Sequence, residues 1–216
     1  MAKKVNLLIA VAVIAAGIVT LICIFIRANR HRPFSLPPMP PAVYGSHRVY
    51  DLRGLKGDLS IKLLRKTFPR CAAIGKLDGL AIIDRSKFNV SLYYIDIETG
   101  GPDYSATLAY VTPDQMVVTT SYIKESPAGP DFHQLFGDWN TYAGRTSRGL
   151  AFPLTSPQYG QASAALFPTR DDGWGAIVFL GDNSSSVDMW AYTAPDKTTA
   201  KVVLTKAVAA LKIVEP

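Results

Sequence analysis

The chain has 216 residues, 48% of them hydrophobic and 19% charged, with a formal net charge of +6 and two cysteines. That balance excludes a disordered, collagen-like or disulfide-stapled chain and leaves room for one ordinary domain beside any targeting segment. The positive excess is local, because Lys3, Lys4, Arg27, Arg30 and Arg32 all precede the first acidic residue, Asp51; with no binding motif or basic-aromatic run, nucleic acid is not an expected partner.

After a short tail (1–4), residues 5–26, VNLLIAVAVIAAGIVTLICIFI, carry no charge. As a helix rising about 1.5 Å per residue they are long enough to cross a hydrocarbon layer of about 30 Å. A cleaved signal peptide has a shorter apolar core and small residues at its cleavage site, whereas Phe25-Ile26-Arg27 stands here. The expectation is a single-pass, retained signal-anchor in a bacterial inner (cell) membrane. Lys and Arg flank the run almost evenly. The predominance of Asp over Glu, with abundant Asn, Ser, Thr and Tyr, favours a periplasmic (extracytoplasmic) position for the remainder of the chain. Ala12, Ala16 and Thr20 recur every four residues, a small-residue face against which another membrane helix can pack.

Residues 27–45 read as a basic, then Pro-rich spacer. Within it PFSLPPMPP (33–41) favours an extended polyproline rod of roughly 25–30 Å. The extramembrane domain is expected over 46–216. Its first part is basic, and Arg48, Arg53, Lys56, Lys62, Arg65 and Lys66 join Arg27, Arg30 and Arg32 as candidates to face anionic lipid or an acidic partner.

Asp58 is positioned to cap a short helix, LSIKLLRKTF, which Pro69 ends. Runs with β character follow at 79–84, 88–98, 105–112 and 115–124, separated by turn residues. Segment 125–160 is rich in Pro, Gly and aromatics and reads as long loops. SPQYGQASAALF (156–167) is predicted as a helix capped by Ser156, 173–182 and 187–194 as a hairpin, and the final segment as a helix behind an Asp196 cap. The predicted fold class is α+β: a single N-terminal transmembrane helix, then one extramembrane domain with a mainly antiparallel sheet and a few packed helices.

Candidate chemistry is sparse. His47, His133 and Cys71 have no ligand-like spacing, so no metal or cofactor is expected. Asp131, His133 and Asp138 share one loop and give an alternative site. Gly181-Asp182-Asn183, followed by Ser186 and Asp188 after an apolar strand, resembles the GDN box of type I signal peptidases, which are also membrane-anchored and β-rich. The likeness covers fewer than ten residues. It implies a serine directly before a Met-Pro pair near the anchor, and Met39-Pro40 follows Pro38 instead, so no nucleophile or lysine base is carried over. Aromatics remain: Trp139, Tyr142 and Trp174 are candidate interface residues, with Trp190 and Tyr192 beside them.

The functional expectation is a non-enzymatic accessory or scaffold subunit of a larger membrane protein complex. Its partners are other membrane-protein subunits and the lipid bilayer, with no small-molecule ligand expected. The alternative is a membrane-tethered enzyme or ligand-binding module with a site in the 125–160 loops.

Overall fold

A computed structural model describes residues 36–100, 104–124, 151–169, 173–181 and 185–216. The described part belongs to one compact unit, Leu36–Pro216. Its elements in chain order are β1 (Val43–Tyr44), β2 (His47–Asp51), α1 (Ile61–Thr67), a 3-10 turn (Ala72–Lys76), β3 (Leu80–Ile83), β4 (Ser91–Glu98), β5 (Ser105–Val111), β6 (Val117–Lys124), β7 (Ala151–Ser156), β8 (Gly160–Pro168), β9 (Trp174–Gly181), β10 (Ser185–Ala194), α2 (Lys197–Ala209) and β11 (Leu211–Val214).

Nine strands form one antiparallel sheet in the order β1-β2-β4-β5-β6-β10-β9-β8-β7, and β11 pairs with β3 in a separate ribbon. The α+β expectation is therefore corrected: the described chain is mostly one large antiparallel sheet with two short helices. Among the described residues no helix is long and apolar enough to cross a membrane. Segment 5–26, expected to be a transmembrane helix, lies outside the described residues.

The two sheet faces follow from period-two alternation. Leu92, Ile95 and Ile97 on β4, Leu108 and Tyr110 on β5, Val118 on β6, Val178 on β9 and Met189 on β10 point to the inner face and join one core. Three pieces close that face. Ribbon β3–β11 crosses over β5 and β6, and α2 packs across β10, β9, β8 and β7. Ile61 and Leu64 of α1 enter the same core, and Phe68 at its end meets Tyr50 of β2, ring centroids 4.9 Å apart.

Local chemistry sets the helix boundaries. The cap of α1 is Ser60 rather than Asp58: its Oγ accepts from the Leu63 N–H at 3.1 Å, which satisfies a first-turn donor. Asp196 caps α2 in the same way, accepting from Thr199 N at 2.8 Å. Ala200, Val203, Leu204, Ala207 and Val208 form its buried stripe, while Val202 stands exposed. The predicted final helix stops at Ala209, because Leu211-Lys212-Ile213-Val214 alternates and finds an edge in β3.

The helix predicted at 156–167 is instead the β7–β8 hairpin, Ser156 opposite Gly160. The Ser156 signal is genuine but caps a turn, its Oγ accepting from Gln158 N and Tyr159 N. Gly160 supplies the positive φ of 73° that a three-residue hairpin loop needs.

Buried polar bonds lock the ribbon to the sheet. Asp84 N–H donates to Ala210 O at 2.8 Å, so by antiparallel alternation Ile83 and Ala81 turn their backbone groups away from β11. Two side chains from the sheet meet them there. Tyr110 Oη accepts from Ile83 N–H at 3.1 Å, and Thr120 Oγ1 donates to Ala81 O at 2.6 Å, all in the interior. Burial pushes the Tyr110 phenol above its ordinary pKa, so it stays neutral. Tyr110→Phe leaves a buried N–H without a partner and is expected to destabilise by about 1–3 kcal/mol, Thr120→Val by about 1–2 kcal/mol. Urea unfolding monitored by circular dichroism measures both, and neighbouring effects on one ribbon strand predict a double variant whose loss differs from the sum.

Candidate interaction face of the sheet

On the sheet's outer face, opposite α1, α2 and the ribbon, side chains fall into rows set by strand register. One row is polar: Asp96 of β4, Thr107 of β5, Ser121 of β6 and Asp188 of β10 are successive cross-strand partners. The next carries Tyr94, Ala109, Thr119, Trp190, Ile177 and Ala165. A third pairs Val111 with Val117 and Val117 with Tyr192.

The polar row is internally bonded. Thr107 Oγ1 and Ser121 Oγ are 2.7 Å apart. Asp188 accepts from Trp190 Nε1 at 2.8 Å and from Ser121. At the β1–β2 edge, Asp96 takes the Tyr44 hydroxyl on one oxygen and His47 Nδ1 on the other, the latter at 3.2 Å. The Tyr44 and His47 rings stack, centroids 4.4 Å apart. Burial, then the bond to Asp96, raises the Tyr44 pKa. Burial also raises Asp188, with the Trp190 and Ser121 bonds opposing.

Two bulges border the aromatic rows, and the one in β4 adds a ring to them. Register shifts between Leu92 and Tyr94, so consecutive residues Tyr93 and Tyr94 both reach the outer face, their rings 5.3 Å apart. A second shift between Ala191 and Ala194 keeps Tyr192 outside and turns Ala194 into the core. Thr193 there adopts φ of 61°, unusual for a β-branched residue, with its hydroxyl 2.6 Å from Tyr192 O. Trp190 and Tyr192 stack at 5.7 Å, and Phe167 meets both edge-on. The Phe167 ring lies over its cross-strand partner Gly175, where a Cβ would collide with it. Trp190, Tyr192, Phe167, Phe179 and Tyr94 all remain partly exposed.

Of the residues singled out by sequence, Trp190 and Tyr192 lie on this outer face, and most of the others fall elsewhere. Ala12, Ala16, Thr20, Arg27, Arg30, Arg32, Trp139 and Tyr142 lie outside the described residues, as do Asp131, His133 and Asp138. Trp174 is half-buried against the core, with Lys197 Nζ 4.5 Å from its ring centroid. Lys62, Arg65 and Lys66 are exposed on α1, an element packed on the inner face, and Arg65 donates to Gly75 O. Lys56 is exposed. Arg48 is turned to the Gly45 and His47 carbonyls, and Arg53 is paired bidentately with Asp51, its Nη2 2.6 Å from Oδ2. Of the signal-peptidase-like stretch, Ser186 is buried and Asp188 belongs to the polar row, while 182–184 lie outside the described residues. The outer face escapes sequence reasoning because strands read one at a time carry no register. Two signals point to it: the pair Trp190 and Tyr192, and the doubled tyrosine at 93–94, too many large residues for strict alternation.

Asp188 yields a pH test. Its folded pKa is raised, so its stabilising contribution is complete below the unfolded carboxylate value near 3.9 and lost as pH rises through the folded value. Asp188→Asn is expected to be more stable than the parent at pH 7, with the difference closing toward pH 3. Urea midpoints across pH 3–8 give the readout. Asp51, held low chiefly by its Arg53 bonds, acts with opposite sign but is exposed to screening.

Comparison with known protein families, curated proteins and solved structures yields no match.

Proposed function

We propose that the chain is a non-enzymatic accessory subunit of a bacterial membrane-associated assembly, and that its β domain docks extramembrane partners on the periplasmic side. The observation that carries this reading is the set of partly exposed aromatic side chains, Tyr94, Trp190, Tyr192, Phe167 and Phe179, on the sheet's outer face. Such side chains offer large contact areas while fixing few torsions, and a sheet that is closed on its other face holds them preorganised. Membrane association is supported by the charge-free run at 5–26, and the periplasmic side by the Asp-rich, Glu-poor composition.

Photo-cross-linking tests this reading. A benzoyl-phenylalanine is placed at Ser163, exposed on the outer face beside Phe179, and in a control at Lys206, exposed on α2. In native membranes the Ser163 probe is expected to give one discrete heteromeric product, lost when Phe179 is changed to Ala, and the Lys206 probe none. A chain that stays monomeric with both probes overturns the proposal.

A further inference from the structure

Residues 36–41, Leu-Pro-Pro-Met-Pro-Pro, have their backbone shape set largely by covalent chemistry. Pro37, Pro38, Pro40 and Pro41 hold φ near −65°, and every residue that precedes a proline is pushed to extended ψ. The outcome is a polyproline helix with three residues per turn and therefore three edges: 36 with 39, 37 with 40, and 38 with 41. Burial follows that period. Leu36, Pro37, Met39 and Pro40 are partly buried, whereas Pro38 and Pro41 are exposed.

The covered edges lie on the outer face of the sheet. Leu36 and Met39, one turn apart, pack on Tyr93, Ala109 and Val117, with Tyr94, Val111 and Tyr192 around them. Between them Tyr93 Oη donates to Pro37 O at 2.9 Å. That carbonyl is an acceptor which a proline-rich helix cannot satisfy internally. Beyond Leu36 the groove continues as an open hollow of about 400 Å³ that includes Arg53, Ser91, Thr112 and Gln115 in its lining. The Arg53 guanidinium stands over the Tyr93 ring, 5.8 Å from its centroid. Aromatic walls, one hydroxyl aimed at a backbone carbonyl, and apolar side chains at three-residue spacing are the elements by which folded domains hold polyproline ligands.

We propose that the Tyr93 end of the outer face is a binding site for a proline-rich peptide in polyproline conformation, filled in this structure by the chain's own residues 36–41. Its ligand presents one apolar side chain per turn at the Leu36 and Met39 positions and a free carbonyl between them for Tyr93. Occupation in cis gives the strap an effective concentration in the millimolar range, so a contact that is weak in trans keeps the site closed. The same site accepts this sequence from a separate peptide once the strap is unseated. The inference does not depend on the proposed membrane role: it rests on residues 36–41 and the surface beneath them, although Tyr94 and Tyr192 border both sites.

The test uses the full-length chain and a synthetic peptide of residues 34–43, FSLPPMPPAV. In the L36S/M39S variant, with far-UV circular dichroism unchanged, the peptide is expected to bind saturably by calorimetry. Affinity in the parent should be at least tenfold weaker, because its own strap competes. Adding Tyr93→Phe should weaken peptide binding about three- to tenfold, the loss of one hydrogen bond. A folded L36S/M39S variant that binds the peptide no better than the parent overturns the proposal, as does a Tyr93→Phe change without effect. A second measurement needs no unseated variant: Tyr93→Phe alone should speed peroxide oxidation of Met39 several-fold relative to the buried Met189, and an unchanged ratio counts equally against the site.

Discussion

Ribbon β3–β11 lies on the sheet with two backbone groups on its far edge, Ile83 N–H and Ala81 C=O, met by side chains instead of a third strand. A two-stranded ribbon is marginal alone, and an unpaired N–H or C=O buried against an apolar face costs as much as the ribbon could gain. Tyr110 and Thr120 remove that penalty at Ile83 N–H and Ala81 C=O from within the sheet itself. Ile83 and Ala81 can then be fully buried, the α2 chain end is brought back through β11, and the inner face is sealed by few elements.

Sealing one face so economically leaves the other to carry chemistry. There the strands do not alternate plainly between apolar and polar. A bonded hydroxyl-carboxylate row runs beside aromatic side chains: Trp190 and Tyr192 of β10 face outward by plain alternation, and an irregularity in β4 adds Tyr93 to Tyr94 on the same face. Bulges commonly re-aim side chains in this way. Without the one in β4, Tyr93 and Tyr94 would lie on opposite faces and the strap would lose either its hydroxyl or its aromatic wall.

Much of the sheet is legible in the sequence. The runs at 79–84, 88–98, 105–112 and 115–124 contain β3 to β6, because β-branched and aromatic residues bounded by Gly, Pro and Asp encode strands locally. Segment 156–167 is not, since Ala-rich ASAA has helical propensity and only its pairing with β7 on one side and β9 on the other makes it a strand. LKIV at the end is ambiguous for the same reason: four residues have no period until β3 supplies an edge. The polyproline strap is legible as a conformation but not as a contact. Its partners Tyr93, Ala109 and Val117 come from three strands that only register brings together.

Tyr93 and the prolines also define the thermodynamics of the strap. Most segments that dock on a surface lose a large share of their conformational freedom when they do so. Here four of six residues are prolines, which had little backbone freedom to lose. Seating and release thus differ mainly in contact and solvation, with only a small ordering term between them. A strap released from Tyr93 would leave as a preformed rod, and its occupancy should follow the strength of a few contacts almost directly.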